Sequence, residues 1–224
     1  MRKNVSISAA FLLVVLIGAA LLTACTAEEM DGPGELVSVE ITEYQGEKLS
    51  SVTDFRENSI RGPQYVDIED YQLQVGGFVE IPEFYTYDQV INDNDSYTKL
   101  VRLDCVEGWS VDILWEGVLV RDLIEKSGAL PEAKTVIFHA YDGYTTSFPI
   151  EYIMDNDILL AYKMNEITIP PERGFPFQLV AEEKWGYKWI KWVTAIELFD
   201  GEYRGYWESR GYSNDASLDK PFFE

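Results

Sequence analysis

Two cysteines stand in the 224 residues, Cys25 and Cys105. Only Cys105 lies among residues that could hold a thiol for chemistry, in Leu103-Asp104-Cys105-Val106-Glu107-Gly108-Trp109-Ser110. A thiolate is a soft metal ligand and a strong nucleophile. In the run Tyr97 to Cys105, Val101, Leu103 and Cys105 alternate with Arg102 and Asp104, which is the period of a half-buried strand. The thiol therefore sits where an apolar strand gives way to a Gly-containing turn. That position is equally open to a buried structural cysteine, because free Cys packs as a small hydrophobe.

Cations are scarce, so their clustering is informative. Arg173, Lys184, Lys188 and Lys191 are interleaved with Trp185, Gly186, Tyr187 and Trp189. Gly186 permits close backbone approach, and lysines beside it could hold an anionic group such as a phosphate. The plain alternative is a solvated strand edge that lysines guard against pairing. His139 is the single histidine, which excludes a zinc or copper site built from several imidazoles. As a base for Cys105 it would make a thiol-dependent hydrolase or peroxidase, although nothing in the sequence brings the two together. Glu182-Glu183 and Asp155/Asp157 read as surface in so acidic a chain.

The elements that must position these groups follow a basic head. After Met1-Arg2-Lys3, an apolar stretch from Ile7 leads to Leu22-Thr23-Ala24-Cys25. This has the form of a secretory signal ending in a bacterial lipobox, in which Cys25 becomes the lipidated first residue. Residues 1–24 are thus expected to be a signal peptide and residues 25–35 a tether, with Gly32-Pro33-Gly34 inside it. Residues 36–224 are expected to be a single domain. Loss of residues 1–24, with Arg2 and Lys3, takes the formal charge from −21 to −23. Such a body argues against nucleic acid or anionic lipid headgroups as partners. The implied location is outside the cell membrane, held to its outer face by lipid.

Strands are expected over Leu36–Ile41, Tyr71–Val75, Thr135–Ala140, Tyr144–Phe148, Ile158–Met164, Ile167–Ile169, Phe177–Val180 and Trp189–Leu198. Short helices are expected at Thr86–Ile91, Val118–Ser127 and Pro149–Met154. Trp115-Glu116-Gly117 reads as a turn, Asp142-Gly143 and Asn165-Glu166 as hairpin turns, and residues 49–64 as a long polar loop. The tail from Asp200 is polar and aromatic without periodicity. The fold class is α+β, mostly β with a few short helices.

Taken in order, these pieces resemble the molybdopterin-dependent oxidoreductases of the sulfite oxidase fold. The resemblance runs through Cys105 to Ser110, Trp115-Glu116-Gly117-Val118, Asp122-Leu123, Asp142-Gly143-Tyr144 and Leu159-Leu160-Ala161-Tyr162. It continues in Gly174-Phe175-Pro176 and closes with Trp185-Gly186-Tyr187-Lys188-Trp189-Ile190-Lys191-Trp192. It implies a mixed, largely β domain with the cofactor in a deep cleft. Cys105 would be the one protein thiolate on molybdenum, or on tungsten, and hence both the metal and the catalytic residue. Gly186, Tyr187 and Lys188 would bind the pterin, with Lys188 on its phosphate and Lys191 in support.

Relatives of the methionine-sulfoxide reductase type carry an Asn-Gly-x-Pro-x-Arg segment on the pterin. Here Arg173-Gly174-Phe175-Pro176-Phe177-Gln178 places a cation where that Asn would be, so Arg173 would reach the phosphate from the other end of the loop. Asn58, in Arg56-Glu57-Asn58-Ser59-Ile60-Arg61, corresponds to an Asn-containing contact loop. The implied reaction is two-electron oxygen-atom transfer on a small oxo-compound, a sulfoxide or a sulfite-like one. Electrons would come through a separate membrane-bound partner, because no Cys-x-x-Cys-His haem motif is present. Arg102, a cation that sulfite would need, points away from the Cys105 face on the strand pattern. Members of the family are normally exported folded on a twin-arginine route, whereas this chain begins Met1-Arg2-Lys3-Asn4. A lipoprotein that keeps the fold and binds a ligand without turnover is the alternative function.

Overall fold

The computed structural model describes residues 39–224, so Cys25, the signal and the tether lie outside the described residues. A two-residue hairpin, β1 (Glu43–Tyr44) with β2 (Glu47–Lys48), precedes a long irregular stretch. Then come β3 (Leu73–Gly77), β4 (Glu83–Tyr85), α1 (Tyr87–Asn92), β5 (Tyr97–Asp104), β6 (Ser110–Leu119) and α2 (Val120–Ser127). They are followed by β7 (Thr135–Ala140), β8 (Thr145–Pro149), α3 (Ile150–Asp155), β9 (Leu159–Met164), β10 (Ile167–Thr168), β11 (Gln178–Val180) and β12 (Val193–Phe199). Single turns of 3-10 helix lie at Pro171–Arg173, Gly186–Lys188 and Glu208–Arg210.

The strands form two five-stranded sheets. The first is antiparallel. β6 pairs with β5 on one side and β9 on the other, and the far edge of β9 takes β10 at one end and β11 at the other. The second runs β4-β3-β12-β7-β8, with β3 and β12 parallel. Buried side chains of both sheets, among them Ile113, Trp115 and Leu160 of the first and Val75, Phe138 and Ile196 of the second, belong to one core cluster. At about 1.5–3 kcal/mol for each fully buried large apolar side chain, that core supplies the scaffold. The turns and loops at its edge are left free to carry a site.

Most expected elements are present, within the usual uncertainty of their ends. α1 begins after Thr86, whose hydroxyl accepts from the Gln89 backbone while the Gln89 side chain accepts from the Thr86 N–H, a capping box. α2 buries Val120, Leu123, Ile124 and Ser127, the stripe of a helix lying on a core. Asn165 and Glu166 both have positive φ, 49° and 66°, as a two-residue hairpin between β9 and β10 requires.

Three expectations are corrected. Of Leu36–Ile41 the described part, Val39 to Ile41, is not a strand, and Val39 is largely exposed. The anticipated turn at Trp115-Glu116-Gly117 is strand: β6 runs through it, with a bulge between Glu116 and Gly117. Gly117 serves close approach there, because a Cβ would collide with the Leu160 backbone of β9. β12 starts at Val193 rather than Trp189, since residues 186–188 coil into a 3-10 turn instead. The tail, which has no periodicity in the sequence, nevertheless contributes buried residues. Glu208, Ser213 and Ala216 are buried in it.

Candidate cofactor site

Cys105 ends β5 and opens a tight turn into β6. Its N–H donates to the Trp109 carbonyl at 2.9 Å, and its own carbonyl accepts from the Gly108 N–H at 3.0 Å. The side chain is buried but faces a cavity of about 420 Å³, within the range of about 300–1,000 Å³ common for small-molecule sites. Burial pushes the Cys105 thiol pKa up, and the Glu107 charge adds to this against hydrogen bonds from the Glu107 N–H and Asn58. The free side chain is therefore a neutral thiol, not a self-activated nucleophile. A soft cation would displace its proton.

Segments far apart in the chain form the cavity walls: the loop at Glu57–Ile60, the Cys105 turn, the β7–β8 hairpin, residues 186–192 and the tail at Trp207 and Tyr212. The loop is pinned from below. Glu40 Oε1 accepts from the Val52 N–H at 2.7 Å and from the Asn165 amide at 2.9 Å. Asn165 also donates to the Ser50 carbonyl at 2.8 Å. This brings Asn58 to the thiol: its Nδ2 lies 3.8 Å from Cys105 Sγ and 3.2 Å from Glu107 Oε2. Glu107 Oε2 also accepts from Trp109 Nε1 at 3.1 Å. Trp109 first, then Asn58, holds the Glu107 pKa below the usual carboxylate value.

Gly186 and Tyr187 line the cavity as expected from the sequence. A Cβ on Gly186 would stand 3.2 Å from the Asp104 carbonyl oxygen and 3.5 Å from Cys105 Cα. The turn therefore lies close against the Cys105 strand end, where any larger residue would be a tight fit. Lys191 also lines the cavity. Its Nζ donates to Glu57 Oε1 at 2.7 Å and the Glu172 carbonyl at 3.3 Å, which leaves one of an ammonium's three donors.

Two expected contacts are not brought to the cavity. Lys188 is fully buried, and its ammonium is spent on Glu208 Oε1 and the Ser147 carbonyl, both at 2.7 Å, and on Asn214 Oδ1 at 3.3 Å. Three donors meet three acceptors, so none remains for a phosphate. Arg173 donates to the Val52 carbonyl at 2.8 Å and the Phe55 carbonyl at 2.6 Å, with its guanidinium 4.0 Å from the Phe55 ring centroid. It holds the loop that carries Asn58. His139 lies on β7, where its Nε2 is 2.8 Å from Glu197 Oε2, and it does not line the cavity. The geometry offers no base for a Cys105–His139 thiol enzyme.

Several lining residues were missed. Ser59 Oγ is buried without a hydrogen-bond partner. Asp142 and Tyr144 stand in the sequence as a hairpin signal and as part of the family resemblance, with no site role given to them, although both line the cavity. Trp207 and Tyr212 lie in the tail, where aromatic density was the only hint of them. The site thus offers a thiol as a soft ligand, an orphaned hydroxyl, a spare ammonium donor and a close-packed glycine turn. That donor set fits a metal held by a thiolate together with a polar organic cofactor.

A mostly β domain with a buried thiol facing a cavity of this size is a scaffold suited to holding a cofactor, and the comparisons agree. The family model described as oxidoreductase molybdopterin binding domain matches residues 60–207, and the chain belongs to that family. It is 36% identical over 151 residues to the uncharacterized oxidoreductase YuiH of Bacillus subtilis, covering 67% of this chain and 76% of that protein. It is 32% identical over 148 residues to the putative protein-methionine-sulfoxide reductase subunit YedZ1 of Azospira oryzae, covering 66% of this chain and 56% of that one. The fold is shared with the sulfane dehydrogenase SoxCD from Paracoccus pantotrophus, with a TM-score of 0.61 at 24% identity. That match covers 69% of this chain and 43% of the other. The protein is a molybdopterin-binding oxidoreductase by family.

Proposed function

We propose that the mature protein is an exported oxidoreductase, anchored by lipid on Cys25 to the outer face of the cell membrane, that reduces a small sulfoxide. The observation that carries the reading is Cys105, the only cysteine among the described residues, facing a cavity large enough for a cofactor. Bound molybdopterin, with molybdenum or tungsten, supplies two-electron oxygen-atom transfer: a sulfoxide takes up two electrons and two protons and leaves as a thioether and water. A separate membrane-bound partner delivers the electrons one at a time.

The chain's own residues hold and orient. Cys105 is the metal ligand, and Asn58 stands beside its sulfur. Gly186 and Tyr187 form the adjoining wall, while Ser59 and the spare donor of Lys191 offer hydrogen bonds to the polar parts of the cofactor. Charge favours a sulfoxide over sulfite. The cavity is lined by the carboxylates of Glu57, Glu107 and Asp142, and its one lining cation, Lys191, is already paired with Glu57. Arg56 and Arg61 flank the loop without lining the cavity, and Arg102 is engaged by Asp104, Ser110 and Asp112. Sulfite would therefore find no unpaired cation among the lining residues, whereas an uncharged S-oxide needs none. The name of the Azospira relative supports the same substrate class.

Elemental analysis of protein from its native membrane tests the cofactor. About one molybdenum or tungsten per chain is expected, lost in Cys105→Ser. A folded, metal-free protein from a host that makes the cofactor would remove the enzyme reading and leave the ligand-binding lipoprotein. Mass analysis of the mature N-terminus tests the anchor, which requires diacylglycerol on Cys25.

A further inference from the structure

The buried pair Lys188–Glu208 has no part in the site as described, yet it joins two of its walls. Both side chains are fully buried, at 2.7 Å. Glu208 Oε1 also accepts from Thr146 Oγ1 at 2.5 Å, while Glu208 Oε2 is buried with no partner. Lys188 closes the Gly186–Lys188 turn, whose first residue lies against the Cys105 strand end and whose second lines the cavity. Glu208 follows Trp207 directly, and Trp207 and Tyr212 also line the cavity. The two walls also meet through their rings. Tyr187 and Tyr212 are edge-to-face at 5.0 Å, Tyr212 and Trp207 lie 5.2 Å apart, and the Tyr187 hydroxyl donates to the Ser213 carbonyl at 2.8 Å. The carboxylate costs a great deal to bury, and only Lys188 and Thr146 compensate it. That cost purchases a fixed relation between two segments about twenty residues apart.

We propose that Glu208 is a positioning residue: through Lys188 it sets the Gly186–Lys188 turn against Cys105 and holds the Trp207–Tyr212 segment over the cavity. It touches neither substrate nor cofactor. The inference rests on the cavity around Cys105 being the working site, but not on the cofactor being present, and the test uses that difference.

In metal-free full-length protein, the rate of Cys105 alkylation by iodoacetamide reports how closely the walls shield the thiol. It is read by mass on the peptide containing Cys105, apart from Cys25. Glu208→Gln is expected to raise that rate at least tenfold under conditions where the protein stays folded. Val136→Ala, a core truncation on β7 that does not line the cavity, should lower stability without raising the rate. Should Glu208→Gln fail to fold, Lys188→Met with Glu208→Leu removes the charges together and keeps the volume, and the same rise is expected from it. Equal rates in the Glu208 and Val136 variants, or an unchanged rate in the folded double variant, would overturn the proposal. In protein loaded in its native host, the folded variant should also carry less pterin and metal per chain than wild type. If the wild type carries none, the function proposed above fails while the alkylation result still decides the role of Glu208.

Discussion

Ser59 separates the cost of a site from its use. A buried hydroxyl without a partner destabilises a protein by roughly 1–3 kcal/mol, and Ser59 Oγ is such a group in the cavity wall. Ser59→Ala should therefore stabilise the cofactor-free protein by about 1 kcal/mol, read as a higher urea midpoint. If the cofactor gives that hydroxyl its partner, the same variant should bind pterin about fivefold more weakly, following from a hydrogen bond of about 1 kcal/mol. A variant that gains stability and loads as well as wild type would remove Ser59 from the site. Cys105 stood out in the sequence through the family resemblance, since its strand-end position was equally open to a structural cysteine, and the fold places it on a cavity. Ser59 was not, since burial in an irregular loop leaves no periodic trace. Lys188 was misread as free because its partner, Glu208, lies in a stretch without pattern. A lysine's neighbours in sequence do not reveal which carboxylate will neutralise it.

At the scale of elements, local turn chemistry lost to packing where the two disagreed. Trp-Glu-Gly reads as a break, yet β6 carries Trp115 fully buried and brings Gly117 onto β9. The glycine is there for space, and space between strands is invisible in one strand's sequence. Gly117→Ala should force the β6–β9 pair apart and cost about 1–3 kcal/mol as overpacking does. Denaturant unfolding followed by far-ultraviolet circular dichroism would measure it, and an unchanged midpoint would mean that the bulge absorbs the methyl group. Where pattern and packing coincide, as in α2, in the β9–β10 turn and in β7, the sequence reading and the structure agree. The irregular segments that line the cavity are the ones it described least.

The whole molecule carries its aromatic residues as an alkaline limit. Burial raises the pKa of Tyr71 and Tyr144 well above 10.0. It raises Tyr87 to about 12 and moves Tyr152 and Tyr187 upward as well. In each case the folded value exceeds the unfolded one, so the native state binds more protons. The stability they contribute is fully present below the unfolded value near 10 and is lost as pH rises through the folded values. The urea midpoint should accordingly fall steeply above pH 10, with ultraviolet absorbance reporting these phenols ionising together with unfolding. Smooth titration of all the tyrosines near 10 in folded protein would contradict the burial described.

One wall of the cavity is made by residues 207–212, the others by residues 57–60, 105–107, 142–144 and 186–192. Translation proceeds from the N-terminus, so Cys105 and three of the cavity's sides are synthesised before the segment that adds another. Long-range contacts of this kind form late in folding. A chain still on the ribosome, or one whose tail has not yet docked, therefore presents Cys105 in an open trough. In the finished molecule Trp207 and Tyr212 line the cavity with it. A bulky organic group placed against Cys105 in the interval between those two states would have the time it takes for Glu208 to find Lys188.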